Sequence, residues 1–454
     1  MLTEQGATDA SGKTLGERPA MPITTTRRQT IAGGLLAMPL LAGRAAWAAG
    51  TTLTIWHDLG APGTEWLQAA GRGFAEQHPD VTIQAISYPT DQWFGRAIGA
   101  INTNTAPDLL FTNYERVIRV QTETGKIQSM EPVLAALPDR SFLSAEDLRI
   151  ATYDKRMIIL PAQRVLMAFG ARRSWLKAGG KGFPTTWQEA KAAAGGFQSG
   201  DPAGTGKGSV YGFALEAANP RDLITMLDMF TFGAGVRHTL LDPDGKITID
   251  DARHAPILEA FLRIFTIDQL VPPDTINYSF NEMYQMIEGG RAGMFRVGDW
   301  NAGKWDKTGP AGDYDVGPWP RFFPDLDNAV VIGGMRGAAV PENAPHKDLA
   351  NAFAASLLSK SAQQDSLRMV GDAVRRDLAL DGLSEHQKQF ARPSWNLIAY
   401  DFPESIHPWY PRLEASFHRA LMDAIATPPT DYQAFIGRLA TSMRSRAAEL
   451  AAKG

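Results

Sequence analysis

An α/β fold with a largely parallel sheet follows from three features of the 454-residue sequence. Between residues 52 and 112, β-rich runs alternate with stretches of helical spacing, the rhythm of a sheet with helices packed on its faces. Hydrophobic residues make up 44% and charged residues 21%, enough apolar surface to build a core and to exclude a disordered chain. The length exceeds what one core usually organises, so two or three domains are expected.

The elements can be read in order. Thr52–Trp56 (TLTIW) is a short strand closed by the turn residues 58–63. Residues 64–77 carry Trp66, Ala70 and Phe74 at helical spacing. Val81–Ile86 is a second strand, Asp91 can cap a helix to about Asn102, and Asp108–Thr112 is a third strand. Parallel sheets place ligand sites at the carboxyl ends of their strands. Three loops become candidates on that ground: His57 and Asp58, Asp91 with Trp93, and Asn113, Tyr114 and Glu115.

Further along, Met157–Leu160 and Val165–Phe169 are apolar runs separated by residues 161–164. Thr186 caps a helix, Tyr211–Leu215 is a strand, and residues 222–232 are helical. Residues 241–246 form a turn between short strands, and Asp250 or Asp251 caps a helix to about Ile267. Asn281–Gly289 reads as helix, Ala292–Val297 and Val330–Val340 as strands, and residues 347–370 as helices. A long carboxy-terminal helix pair follows Pro411.

Composition narrows the chemistry. A net charge of -4 leaves no basic footprint for nucleic acid. With no cysteine, thiolate catalysis, disulfides and cysteine-ligated metals are excluded. The eight histidines show no His-x-x-x-His or His-x-His spacing, and neither a phosphate loop nor a Gly-x-Ser-x-Gly elbow is present. No cofactor or metal is implied. Tryptophan stands out instead: Trp93, Trp300, Trp305, Trp319 and Trp409 lie in turn-rich surroundings. An aromatic plane beside polar groups suits a sugar, although each ring can equally serve a core.

Residues 24–50 read as an export signal. Arg27 and Arg28 precede an apolar run from Ile31 to Ala42, followed by Ala46-Trp47-Ala48, a cleavage-type sequence. The run is too short to span a bilayer. The paired arginines look like a twin-arginine signal; the alternative is a general secretory signal with two chance arginines. Met21 is a candidate start. Removing residues 1–48 takes away five positive and three negative charges and leaves about -6. A periplasmic destination is expected.

An ordered set of stretches resembles the family 1 extracellular solute-binding proteins of ABC importers. It comprises residues 52–57, 74–81 and 107–111, then Leu160-Pro161 with Trp175-Leu176, Gly179 and residues 184–187. Asp244-Gly245-Lys246, residues 280–300 and Gly333-Gly334-Met335 continue the series. The resemblance implies a two-lobed periplasmic binding protein fold (type II-like) with the ligand in the cleft between lobes. The implied amino-terminal lobe comprises residues 49–160 and 336–370, and the carboxy-terminal lobe residues 161–335 and 371–454. Crossings are expected near Pro161, near 330–335 and near 371–376.

By the same resemblance, Gln163, Glu216, Asn219, Gly334, Arg375 and Arg376 join the cleft candidates. Trp300 is the stacking platform, and Trp409 and Tyr410 form a second aromatic position. The implied function is capture of a small molecule, a carbohydrate, by a non-enzymatic monomer that presents it to ABC permease transmembrane subunits. Two alternatives stay open. One is an anionic polyol held by Arg164, Arg336, Arg375 and Arg376. The other is a secreted glycan-degrading enzyme with a carboxylate pair.

Overall fold

The computed structural model describes residues 50–206, 208–399 and 407–453, without the side chains of Thr90 and Asp91. The expected export signal, residues 1–48, lies outside them. Among the described residues no helix is long and apolar enough to cross a membrane.

The expected strand–helix rhythm is present: β1 (Thr51–His57), a helix at Gly60–Ala75, β2 (Val81–Ser87), a helix at Thr90–Asn102 and β3 (Leu109–Asn113). In β1 the inward residues Leu53, Ile55 and His57 alternate with more exposed ones, whereas Leu109, Leu110, Phe111 and Thr112 of β3 are all buried. That contrast suits β3's central place. The remaining strands are β4 (Thr152–Tyr153), β5 (Arg156–Met157), β6 (Leu160–Ala171), β7 (Tyr211–Phe213), β8 (Ala292–Gly298), β9 (Asp315–Gly317), β10 (Val330–Ala339) and β11 (Leu397–Ala399). The main sheet runs β2-β1-β3-β10-β6-β8-β7, with β9 on β6 and β11 on β10.

The two long strands organise everything else. β6 and β10 pair antiparallel with each other. At one end, Arg336–Ala339 of β10 pair with Leu110–Asn113 of β3. Toward the other, Met167–Ala171 of β6 pair with β8, and Val330–Ile332 of β10 pair with β11. β10 thus joins the β1 side through β3, β6 joins the β8 side, and the pairing of β6 with β10 links the two. Register shifts fall between Ile332 and Gly334 and between Arg336 and Gly337, where bulges increase local twist. Gly337 has no room for a side chain: a Cβ there would lie 2.1 Å from the Leu160 carbonyl oxygen.

Several expectations need correction. Residues 161–164 do not separate two runs but belong to the continuous strand β6, with Pro161 near its start, opposite Gly337 at the register shift, where a missing N–H is tolerated. The helix assigned a cap at Asp250 or Asp251 begins at His254, with the Asp251 carbonyl, not its side chain, accepting from the His254 and Ala255 amides. The helix at Thr90–Asn102 starts one residue before Asp91, after Pro89. The helix at Pro220–Gly233 starts earlier than expected because the Asn219 side chain caps it by accepting from Asp222 N, 3.0 Å away. Leu241 and Ile247 form only an isolated bridge. Of the five tryptophans in turn-rich surroundings, Trp93, Trp305 and Trp319 are core residues, and only Trp300 and Trp409 keep exposed surface.

Gly337→Ala is expected to destabilise the fold by about 1–3 kcal/mol, the usual cost of overpacking, read as a lower urea midpoint. The m-value should stay constant. An unchanged midpoint would mean that the β6–β10 pair does not need its close approach.

Candidate functional site

The first wall of the site is built at the end of β3. Thr112 Oγ1 donates to Asp58 Oδ1 at 3.0 Å, and Arg116 pairs with the same carboxylate. Asn113 donates from Nδ2 to Glu115 Oε1 at 3.0 Å and accepts from Arg336 Nε at 2.9 Å. Burial, reinforced by the charges of Arg336, Arg221 and Arg119, lowers the Arg116 pKa to about 9. Arg221 belongs to the helix Pro220–Gly233 on the β8 side, so the two sides lie within electrostatic reach of one another.

The second wall follows β8. At Gly298 a Cβ would lie 2.3 Å from the Trp300 ring, so the glycine lets the indole lie flat on the backbone. The ring is half-buried, and the Arg336 guanidinium sits 5.2 Å from its centroid, a cation–π distance. Arg336 also pairs with the buried Asp372. One guanidinium therefore joins Asn113 of the first wall, the segment after Gly371 and the Trp300 platform. Gly371 has a φ of +98°, and a Cβ there would lie 2.6 Å from the Asp299 carbonyl oxygen, so only glycine fits.

Behind Trp300, the Asp299 carboxylate accepts from Leu166 N at 2.9 Å and from Trp300 N at 3.1 Å. Burial, followed by the neighbouring charge of Asp372, pushes Asp299 well above the usual carboxylate range. Deeper in the same wall, Arg296 of β8 meets Glu216 at 3.1 Å, both almost fully buried. Burial raises Glu216 to about 7 against the opposing pull of Arg296. Tyr284 and Phe280 close over this pair, their rings 4.3 Å apart and perpendicular.

Asn113, Glu115 and Trp300 are thus brought together by Arg336, and Asp58 stands beside them. Glu216 joins the second wall, and Gly334 sits at the register shift opposite Val165. Other candidates face elsewhere. His57 is buried, its Nδ1 accepting from Leu59 N at 3.2 Å and its Nε2 lying 3.1 Å from Thr64 Oγ1. Trp93 packs in the core at 0% exposure. Tyr114 donates to the Thr152 carbonyl at 2.6 Å, and Gln163 donates to Ser366 Oγ at 2.8 Å, so both serve packing contacts. Asn219 is a helix cap. Arg375 and Arg376 do not face elsewhere: they line a cavity with Arg164, Asp299 and Gly371, Arg375 held by Asp377 at 2.8 Å and Arg376 donating to the Ala391 carbonyl at 2.9 Å. Trp409 and the buried Tyr410 begin the helix Tyr410–Ala426, whose Glu414 lies 3.5 Å from Arg221. The side chain of Asp91 lies outside the described residues.

Sequence reasoning missed Arg116, Arg296, Asp299, Phe280, Tyr284 and Asp372. Arg296 did leave a signal, a lone charge inside the apolar strand AGMFRVG, which costs free energy unless the fold has a use for it. Among the described residues, no group of three or more His, Asp or Glu is placed to hold a metal ion.

Comparison with known proteins agrees with this architecture. The sequence model of one family, described as bacterial extracellular solute-binding protein, matches residues 59–364. No curated protein matches in sequence. Among solved structures, an ABC transporter solute-binding protein from Thermotoga lettingae TMO, bound with alpha-D-tagatose, superposes with a TM-score of 0.71 at 20% identity, covering 88% of this chain and all of that one. Maltose-bound MalE3 of T. maritima gives 0.70 at 16% identity, covering 87% and 99%. A chitin oligosaccharide binding protein gives 0.71 at 13% identity, covering 88% and 99%. The likeness establishes the fold, α/β with two lobes.

The buried histidine offers a test of the first wall. Burial depresses His57 to about 4, and its use of Nδ1 as an acceptor requires the neutral ring. Its stabilising contribution is therefore complete above pH 6.5 and lost as pH falls toward 4, by up to about 3 kcal/mol. The stability gap between wild type and His57→Gln should narrow by that order in denaturation series from pH 7 to pH 4. A constant gap would show that His57 does not titrate with folding.

Proposed function

We propose, from the premise that this chain belongs to the bacterial extracellular solute-binding protein family, that it captures a carbohydrate between its lobes and presents it to the transmembrane subunits of an ABC importer. The carrying observation is the half-buried Trp300 ring, laid on Gly298 and edged by Arg336, Asn113 and Glu115. A flat apolar face bordered by donors and acceptors matches a pyranose or furanose ring, apolar across its C–H face and polar around its rim. The sugars named in the related structures support the same class of ligand.

The mechanism follows from the β6–β10 pair. The lobes are assigned to residues 49–160 with 336–370 and to residues 161–335 with 371–454, joined where β6 and β10 change neighbours. Groups from both walls satisfy the ligand together only when the cleft is shut, so ligand shifts an open–closed equilibrium. Moving it from 1% to 99% closed requires about 10⁴-fold tighter binding to the closed form. The permease then reads closure, and the chain needs no chemistry of its own. It acts as a monomer in the periplasm, exported by residues 24–48 through the twin-arginine route and cleaved near Ala48.

The anionic-ligand alternative has less support. Arg164 is held by Asp147, Arg336 by Asp372 and Arg375 by Asp377. Three of its four arginines are already neutralised by carboxylates.

Native mass spectrometry of the purified mature protein, followed by calorimetry against neutral mono- and oligosaccharides, tests the function. A sugar bound and recovered chemically unchanged is expected. Product released in excess of protein would establish an enzyme instead. Trp300→Ala should weaken sugar binding by about 2 kcal/mol or more, as for an aromatic hot spot, with little change in the melting temperature of the empty protein. An equal loss of stability would mark Trp300 as a core residue.

A further inference from the structure

We propose that the cavity behind Trp300 binds a small free anion of chloride size, held by Arg376 and separate from the sugar surface.

The cavity lies where the chain passes Gly371, between β6, residues 371–380 and the helix Glu385–Ala391, and holds about 350 Å³ of empty space, part of it continuous with solvent. Its enclosed part admits about one water-sized group. That is too little for a sugar ring and enough for a halide ion. Arg164, Arg375, Arg376 and Asp299 line it among apolar side chains that include Leu367, Leu378 and Phe390, yet the atoms it exposes are mostly polar. A guanidinium that reaches an apolar-walled space attracts an anion strongly, because little water screens it.

The charges around this space do not cancel. Arg164 is held by Asp147, its Nε 2.8 Å from Oδ1, and Arg375 is held by Asp377 through bonds of 2.8 and 2.9 Å. Arg376 has no such partner. Among the described residues its one hydrogen bond runs from Nη1 to the Ala391 carbonyl at 2.9 Å, and it forms no ion pair. Its Nε and Nη2, an edge that presents two N–H groups side by side, have no protein acceptor and keep accessible surface. Burial, followed by the charge of Arg164, lowers Arg376 to about 10, as expected of a cation short of a counter-charge, and it stays protonated at neutral pH. Asp299, the carboxyl in the wall, is pushed well above the usual carboxylate range by burial and then by Asp372, which weakens its repulsion of an anion. Of the arginines weighed above for an anionic ligand, Arg376 is the one that no carboxylate neutralises.

Chloride NMR of the purified protein without sugar reads the site directly. The chloride line should broaden as protein is added, and in Arg376→Met that broadening should fall by about half or more, because the Nε–Nη2 edge supplies the fork. At fixed ionic strength, replacing gluconate by chloride should raise the wild-type melting temperature saturably, by about 2 °C or more. Arg376→Met should not respond. Ala373→Leu places bulk in the cavity wall without altering a charge and should lose the same response, so the test survives if the arginine variant does not fold. Equal broadening by wild type and Arg376→Met would mark an adventitious ion only and overturn the inference, and so would a wild-type melting temperature indifferent to chloride. Glucuronate bound more tightly than glucose through Arg376, with no response to chloride, would assign the guanidinium to the carried ligand and equally overturn a free-anion site. Neutral-sugar binding is a separate measurement, so each of these outcomes leaves the carbohydrate function standing.

Discussion

The Arg336 guanidinium is the constraint on which the site depends. It projects from β10 near the register shift, where the strand leaves β3. A planar fork of five donors can serve several partners in fixed directions, and here it reaches Asn113, Asp372 and the face of Trp300. A lysine could supply the charge but neither the fork nor the stack. The strand carrying it is shared by both sides of the sheet. Whatever moves the two sides relative to each other therefore acts on this one group.

Around it, the fold concentrates buried charge in pairs. Asp372 is balanced by Arg336, Glu216 by Arg296, and Asp147 by Arg164. Such pairs contribute little net stability because desolvation offsets the attraction. Their effect is geometric: each ties a residue of one element to a residue distant in sequence. Asp299 is the exception, a carboxyl whose neighbour is another carboxyl, held by the Leu166 and Trp300 amides and pushed above the usual carboxylate range by burial. It secures the first turn after β8 and so the angle at which Trp300 leaves the strand. The two glycines at this point, Gly298 and Gly371, provide the space that the packing requires.

Much of this was legible from local pattern. The alternation in β1, the capping box of Thr186 with Glu189 and the apolar spacing of the helices depend on residues within a few positions of one another. Trp300 could be picked out because Gly298-Asp299-Trp300 resembles the Gly-x-Trp of the solute-binding family, a short-range feature. Pro161 misled because a proline inside a strand reads as a break, and only the pairing partner Gly337 shows that its missing N–H falls at a register shift. Trp93 and Gln163 misled for the opposite reason. Polar or turn-rich neighbours in sequence said nothing about the side of the chain they would face.

The sequence by itself determined the α/β class, the positions of most helices and strands, and which loops follow strand ends, since each is set by periodicity and capping over a few residues. It also contained the ordered motifs of the solute-binding family. The tertiary structure decided which of those loops meet. Arg336 and Asn113 are 223 residues apart, and Trp300 and Asp372 meet the same guanidinium because β10 is held in place by its pairing with β3 and β6. Contacts of that separation arise from strand register and burial across the whole sheet, and no local pattern encodes them.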